Sequence, residues 1–499
     1  MARVKIDLER KIGKIQKGIF GSFIEQVARI IYGGIYDPTS IHADEDGFRK
    51  DVIDAIKDLN VSVLRWPGGH FADTYRWKDG IGRQEERPVR PNLVPHWPGH
   101  PPQPNIIGTD EYIRYCRKVG AEPYIVVNCS TGDATEAAEW VEYCNGQENT
   151  FWANERRKNG NKNPHAVRYW GLGNEIGIES QVGYLPPAEY ALKARDYAKL
   201  MRAVSPDIRI AACGSHIWDR DWGIAWDFEV VRQLYRYVDL LAIHTYVNND
   251  EDDFKKYMGF SNVINRRIEN TASAIQAAMA QTHGVDDPVI QRAITIAMDE
   301  WCVYSWSKSN PSTNYEQSYT FEDALVMAMY LNSYINHCDV VTMANGSELV
   351  NCIAPIRTKG DKLLLQSIYY PMAMYAAANS GEALDIFCES EDYETSHKML
   401  GNFRTAYLDM SCSHRGETLV LNVVNKSTSE TILLDVEVSG MAVREAKGLR
   451  ITADGPKAEN TFENAEEIRR ESVAAVPFAT GNRAALKIPP LSLTIFTIV

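Results

Sequence analysis

The chain of 499 residues has no Cys-x-x-Cys pair, and its nine cysteines, Cys116, Cys129, Cys144, Cys213, Cys302, Cys338, Cys352, Cys388 and Cys412, are too odd in number to pair completely within one chain. A reducing cytoplasm is therefore the expected location. The opening stretch MARVKIDLERKIGKI is charged throughout and lacks the apolar centre of a secretory signal. No run approaches the roughly 18 apolar residues of a membrane span. Positive charge is also short, with 53 Lys and Arg against 66 Asp and Glu and a net charge of -13. Such a surface repels nucleic-acid phosphates and anionic lipid, so neither is an expected partner, whereas a neutral carbohydrate is compatible.

Hydrophobic residues make up 44% and charged residues 24% of the chain, a globular balance at a length that implies two domains. Eight short β-branched or apolar runs alternate with amphipathic stretches: GIFGSFIE from Gly18, VSVLRWP from Val61, EPYIVVN from Glu122, VRYWGLGNE from Val167, IRIAACGS from Ile208, LLAIHTY from Leu240, ITIAMDEW from Ile294 and VVTMANGS from Val340. Eight βα units close a TIM barrel, the (β/α)8 fold. Past about residue 380 the long helical period stops, and runs such as TLVLNVVNKSTSETILLDVEV and AALKIPPLSLTIFTIV predict a C-terminal all-β sandwich. The predicted division is an N-terminal strand over 1–17 that joins the sandwich, a catalytic barrel over 18–380 and the sandwich over 381–499.

In a barrel of this type the chemistry sits at the C-terminal ends of the strands. Those ends carry Glu25, Arg65 followed by Pro67-Gly68-Gly69, Asn174-Glu175, His244-Thr245-Tyr246 and Asp299-Glu300-Trp301. Hydrolysis of a glycoside needs one carboxylic acid to protonate the leaving oxygen and a second carboxylate to attack the anomeric carbon. Glu175 and Glu300 fit as acid/base and nucleophile of a retaining enzyme, with Arg65 beside Glu300 to keep it ionised. His244 and Tyr246 stand two apart on one strand, so both face the barrel axis. Trp66, Trp77, Trp97, Trp301 and Trp306 fall at strand ends or in loops, where indoles can stack on sugar. A loop with seven prolines, RPVRPNLVPHWPGHPPQPNIIG, follows the second strand and is expected to shape the substrate site.

The motifs IEQVARIIYGGIYDP, LRWPGG, YWGLGNE, IHTY, DEW and LVNCIAPI, in this order, resemble glycoside hydrolase family 51, the α-L-arabinofuranosidases. The resemblance runs across the whole barrel. It implies a jelly-roll form for the C-terminal sandwich, no cofactor, homo-oligomers that are frequently hexamers, and exo-acting release of terminal arabinofuranosyl groups from plant polysaccharides such as arabinan or from oligosaccharides. By motif position Glu175 matches the acid/base and Glu300 the nucleophile. Glu25 and Asn174 match positions that bind sugar hydroxyls, and Arg65, His244 and Tyr246 match residues around the nucleophile.

Three positions depart from the family pattern. His70 stands where Cys or Asn is usual, Glu348 where Gln is usual, and Cys302 where Asn follows Asp-Glu-Trp. The resemblance places His70 and Glu348 in the pocket of the terminal sugar, and we expect them to face one another as a charge-assisted pair that reshapes it. Rival readings are another furanosidase, a β-xylosidase or an endoglucanase on the same machinery, a metal-dependent sugar isomerase using His70, His244, Glu175, Asp299 and Glu300, and a non-catalytic carbohydrate-binding protein. The chain has no His-x-His or His-Glu-x-x-His spacing to favour the isomerase.

Overall fold

The computed structural model describes residues 2–94, 101–216, 221, 223–282, 293–309, 313, 315–478 and 482–499. Strands β1 (Ala2–Asp7) and β2 (Lys11–Lys14) come first, and the barrel then follows as β3 (Gly21–Phe23), β4 (Val63–Trp66), β5 (Glu122–Val127), β6 (Tyr169–Leu172), β7 (Arg209–His216), β8 (Leu240–Val247), β9 (Thr295–Val303) and β10 (Val341–Glu348). The last eight form a closed barrel in chain order, with β10 pairing in parallel with both β9 and β3. Each of the eight runs read from the sequence supplies one barrel strand. In the first, Lys17–Phe20 makes a 3-10 turn, so the strand begins only at Gly21.

The helices start and stop where side chains satisfy the free backbone groups at their ends. Asp133 accepts from the amides of Thr135 and Glu136 to open Ala134–Asn145. Thr320 and Asp323 form a capping box at the start of Phe321–Asn336. Asn60 and Gly120 close Lys50–Leu59 and Thr109–Val119 in left-handed conformations. Two of the helices not expected from sequence pattern are Ile224–Leu234 and Tyr369–Ala378. The second has an almost continuous apolar run and is buried from Tyr369 to Ala376, so it shows no amphipathic period to read.

The C-terminal β structure has two main sheets. β1 lies in a four-stranded sheet between Phe387–Glu389 and Ile432–Ser439, running parallel to the latter. β2 is the edge of a seven-stranded sheet, next to Glu382–Leu384. Val4, Leu421, Val436, Leu486 and Phe496 pack between the sheets. Helix Phe321–Asn336 is buried through all but its last residue, because the sandwich covers the side that a barrel helix normally shows to water. Asn332 donates to Asp409 at 2.8 Å and accepts from Ser411 at 2.6 Å, and Asn336 donates to the Met410 carbonyl at 2.9 Å. The sandwich is thereby fixed to the barrel by polar bonds as well as by packing.

All nine cysteines are unpaired, eight of them buried. No helix among the described residues is long and apolar enough to cross a membrane.

Candidate active site

A cavity of about 520 Å³ opens at the C-terminal mouth of the barrel, with Glu25, His70, Glu175, Tyr246, Glu300 and Glu348 in its wall. Glu175 follows β6 across Gly173, and its own φ of 46° lies in the left-handed region. A non-glycine residue held there costs about 1 kcal/mol or more, so surrounding contacts fix it in place.

Two irregularities aim the strand ends. Between Ala242 and His244 of β8, the facing stretch of β9 runs from Ala297 to Glu300, one residue longer. This bulge in β9 turns both Asp299 and Glu300 toward the site, where regular alternation would send them to opposite faces. A bulge in β7 between Cys213 and His216 brings His216 in the same way.

Glu300 is held at both oxygens. Arg65 donates to Oε1 at 2.7 Å and Tyr246 donates its hydroxyl to Oε2 at 2.9 Å. The same guanidinium donates to Asn174 Oδ1 at 2.7 Å and lies 3.3 Å from Asp299, which accepts from Tyr124 at 3.0 Å. Arg65 and Tyr246 thus give each Glu300 oxygen one hydrogen-bond partner and hold the carboxylate in place.

Glu175 is ringed by imidazoles: His244 Nδ1 at 2.8 Å, His216 Nε2 at 3.4 Å and His70 Nε2 at 3.5 Å. Burial alone would raise its carboxyl, but His216, His244 and His70 hold it below the usual carboxylate range. Burial drives His216 down to about 4, so that ring is neutral at pH 7. Burial also acts against charge on His244, but Glu300, Asp299 and Glu175 outweigh it and raise the ring to about 10. His244 is therefore a cation beside Glu175, and it also contacts Asp299 at 3.2 Å; the neighbouring acids raise His70 as well. Oxygens of Glu175 and Glu300 and a nitrogen of His244 all lie within 4.8 Å of one another. That is the scale of a double-displacement pair, whose carboxyl groups stand about 5–5.5 Å apart.

Glu25 enters from the end of β3 and accepts from the Phe71 amide at 2.6 Å. The Gly68-Gly69 turn leaves it room, since a Cβ on Gly68 would come within 2.4 Å of Glu25 and one on Gly69 within 2.6 Å.

Three expectations are corrected. His70 and Glu348 line one cavity but do not pair: His70 lies against Glu175 and Gln181, and Glu348 lies against Glu25. The reason is barrel closure, which makes β3 and β10 neighbours and places Phe23 opposite Glu348. Trp301 does not reach the cavity. It is 1% exposed, points to the opposite face from Glu300, and packs on Tyr330 and Tyr334 in the space left by Gly346. Of the other tryptophans expected to stack on sugar, Trp66 and Trp77 are core residues, while Trp306 is 62% exposed at the rim of the cavity. Trp97 lies outside the described residues.

The comparisons with known proteins agree along the whole chain. Residues 55–265 match the alpha-L-arabinofuranosidase 1 domain, and residues 299–492 match the alpha-L-arabinofuranosidase C-terminal domain. An intracellular exo-α-(1→5)-L-arabinofuranosidase of Bacillus subtilis is 35% identical over 88% of this chain and 87% of its own. The GH51 α-L-arabinofuranosidase of Thermotoga petrophila superposes with a TM-score of 0.89 at 31% identity, covering 100% of both chains. The chain belongs to glycoside hydrolase family 51. A second family structure, the Thermotoga maritima α-L-arabinofuranosidase in complex with arabinose, is 32% identical with a TM-score of 0.89, over 100% of this chain and 99% of that one.

Sequence reasoning missed Asp299 as a structural partner of Arg65, and it also missed Tyr124, His216 and Gln181. Gln181 sits on the loop after β6 and lies 3.2 Å from His70. Tyr124 alternates correctly along β5 and could have been found by period alone. The bulges that turn Asp299 and His216 inward leave no mark in the sequence.

Proposed function

We propose that this protein is a retaining, exo-acting α-L-arabinofuranosidase in which Glu300 is the nucleophile and Glu175 the acid/base. The observation that carries this reading is the carboxylate pair within 4.8 Å, with one member bound by Arg65 and Tyr246 and the other by histidines. Glu300 Oε2 attacks the anomeric carbon as the bond to the leaving oxygen breaks, and that oxygen takes a proton from Glu175. The short contact between His244 Nδ1 and Glu175 is where this proton is held before transfer. Once Glu300 is esterified its charge is gone, and Glu175 accepts a proton from the water that releases arabinose and restores Glu300.

The remaining wall binds the sugar. The amide nitrogen of Asn174 has no hydrogen-bond partner among the described residues and is available to a hydroxyl. Glu25, His70, Tyr246 and Glu348 surround the terminal furanose, Arg65 and His244 position the two carboxylates, and Trp306 at the rim supplies a stacking face for the next unit. Residues 18–380 form the catalytic unit, and 381–499 with 1–17 form the supporting sandwich. The unpaired cysteines favour a cytoplasmic setting, and the family resemblance favours a homo-oligomer, with an arabinose-containing oligosaccharide as substrate and no cofactor.

Hydrolysis of p-nitrophenyl α-L-arabinofuranoside by wild type, Glu175→Ala and Glu300→Ala tests the assignment. Both variants lose turnover, and azide restores it in Glu175→Ala, because a small anion can attack the glycosyl-enzyme once general base help is absent. Undiminished turnover in either variant, or azide rescue confined to Glu300→Ala, overturns the two roles.

A further inference from the structure

The sandwich sends one hairpin across to the barrel. Its strands, Asp392–His397 and Gly401–Ala406, form a two-stranded sheet of their own, apart from the two main sheets. A two-stranded ribbon is marginal by itself, so its position is set by what it touches. Tyr393 donates its hydroxyl to the Lys255 carbonyl at 3.0 Å, and Asn262 donates to the Thr405 hydroxyl at 3.0 Å. The rings of Phe260 and His397 meet edge to face at 5.3 Å. Gly259 allows this close approach, since a Cβ there would come within 3.0 Å of the Thr395 methyl.

The tip of the hairpin closes a second cavity. It holds about 120 Å³ and is walled by His397 and Met399 from the sandwich and by Tyr246, Asn248 and Phe260 from the barrel. Tyr246 and Asn248 also line the catalytic cavity, so the two spaces adjoin. Asn248 accepts from the Asp250 amide at 3.2 Å, but its own amide nitrogen has no hydrogen-bond partner among the described residues. His397 Nδ1 accepts from the Met399 amide at 3.3 Å, which puts the proton of a neutral ring on Nε2, again without a partner among the described residues. Burial, with Lys398 and Lys256, holds this ring below its ordinary value, so it is neutral at pH 7.

The charged side chains around this space balance, with Asp250 and Glu251 against Lys256 and Lys398. Lys256 bonds to Glu251, and Asp250 accepts from Ser305 and Ser307. Such a wall has no net pull on an ion. Two uncommitted donors beside the rings of Phe260 and Tyr246 suit a neutral ligand rich in hydroxyls.

We propose that this cavity is a sugar subsite beyond the cleavage point, through which the sandwich domain takes part in substrate binding and favours longer oligosaccharides. The chain leaving the terminal furanose passes Tyr246 and Asn248, and a later unit reaches His397 and Phe260. The identity of the sugar rests on the arabinofuranosidase reading, whereas the division of the site between two domains rests on the geometry alone.

Initial rates of the full-length protein on p-nitrophenyl α-L-arabinofuranoside and on linear α-1,5-linked arabino-oligosaccharides of increasing length test it. In wild type kcat/KM should rise about threefold or more from the disaccharide to the longest chain, within the range of one hydrogen bond. His397→Ala should abolish most of that rise. If His397→Ala melts well below wild type, Met399→Phe, which narrows the cavity and keeps the imidazole, takes its place with the same expected outcome. A flat chain-length profile in wild type, or an undiminished rise in the folded variant, overturns the subsite while normal hydrolysis of the nitrophenyl glycoside leaves the enzyme reading standing. No hydrolysis of that glycoside by wild type overturns the enzyme reading and this inference with it.

Discussion

The two sides of the cavity solve the problem of buried charge differently. On the side of Glu300 every acid has a cation or a hydroxyl: Arg65 joins Glu300 and Asp299, Tyr246 closes the second oxygen of Glu300, Tyr124 joins Arg65 at Asp299 Oδ2, and His244 lies 3.2 Å from Asp299 Oδ1. On the side of Glu25 and Glu348 two buried acids line one cavity, and Glu348 Oε2 has no hydrogen-bond partner among the described residues. Groups that must stay ionised and still through a reaction are fully paired. The acids across the cavity have fewer partners, so their charge is held less firmly.

The largest test of that contrast is removal of the proposed nucleophile. Glu300→Ala should lower kcat by about 10⁴-fold or more, since under the proposed mechanism it and Glu175 act as a unit. Next is its cation. Arg65→Ala leaves Asp299 and Glu300 buried without their partner, and should cost about 3–5 kcal/mol of stability by chemical denaturation. A loss of under about 1 kcal/mol, the range of an exposed pair, would show that the paired side is not held by charge.

His244 gives a pH test of the same side. Its ring is raised from 6.5 to about 10 in the folded protein, so its contribution is fully present below about pH 6.5 and is lost as pH rises toward 10. Melting temperature measured from pH 6 to 10 should therefore fall more steeply for wild type than for His244→Gln. Parallel curves would mean that the ring is neutral throughout. The smallest effect expected is that of Tyr246→Phe, which removes a single hydrogen bond to Glu300. A decrease of about tenfold in kcat/KM, or roughly 1.4 kcal/mol, is the expected scale.

How far the sequence can be read depends on whether regular periods hold. The eight barrel strands are legible because each is a short β-branched run between turn residues, and the order of six motifs settles the family. Glu175, Glu300, Arg65, His244 and Tyr246 come together because strand ends in a closed barrel converge on one mouth. Trp301 was misplaced although simple alternation after Glu300 puts it on the far side. Asp299 and His216 break that alternation through bulges, and only the folded register reveals them. The partner of Glu348 was readable in principle: the eighth strand of a barrel must pair with the first, which sets Glu348 against the end of β3 rather than against the turn that follows β4.

The left-handed backbone at Glu175 has a practical consequence for anyone improving the protein's heat tolerance. With φ at 46°, this position suits glycine or asparagine better than glutamate. Selection on melting temperature alone would therefore reward replacements at the position proposed to supply the acid, at the expense of turnover. Libraries should hold position 175 fixed and screen for turnover before endurance.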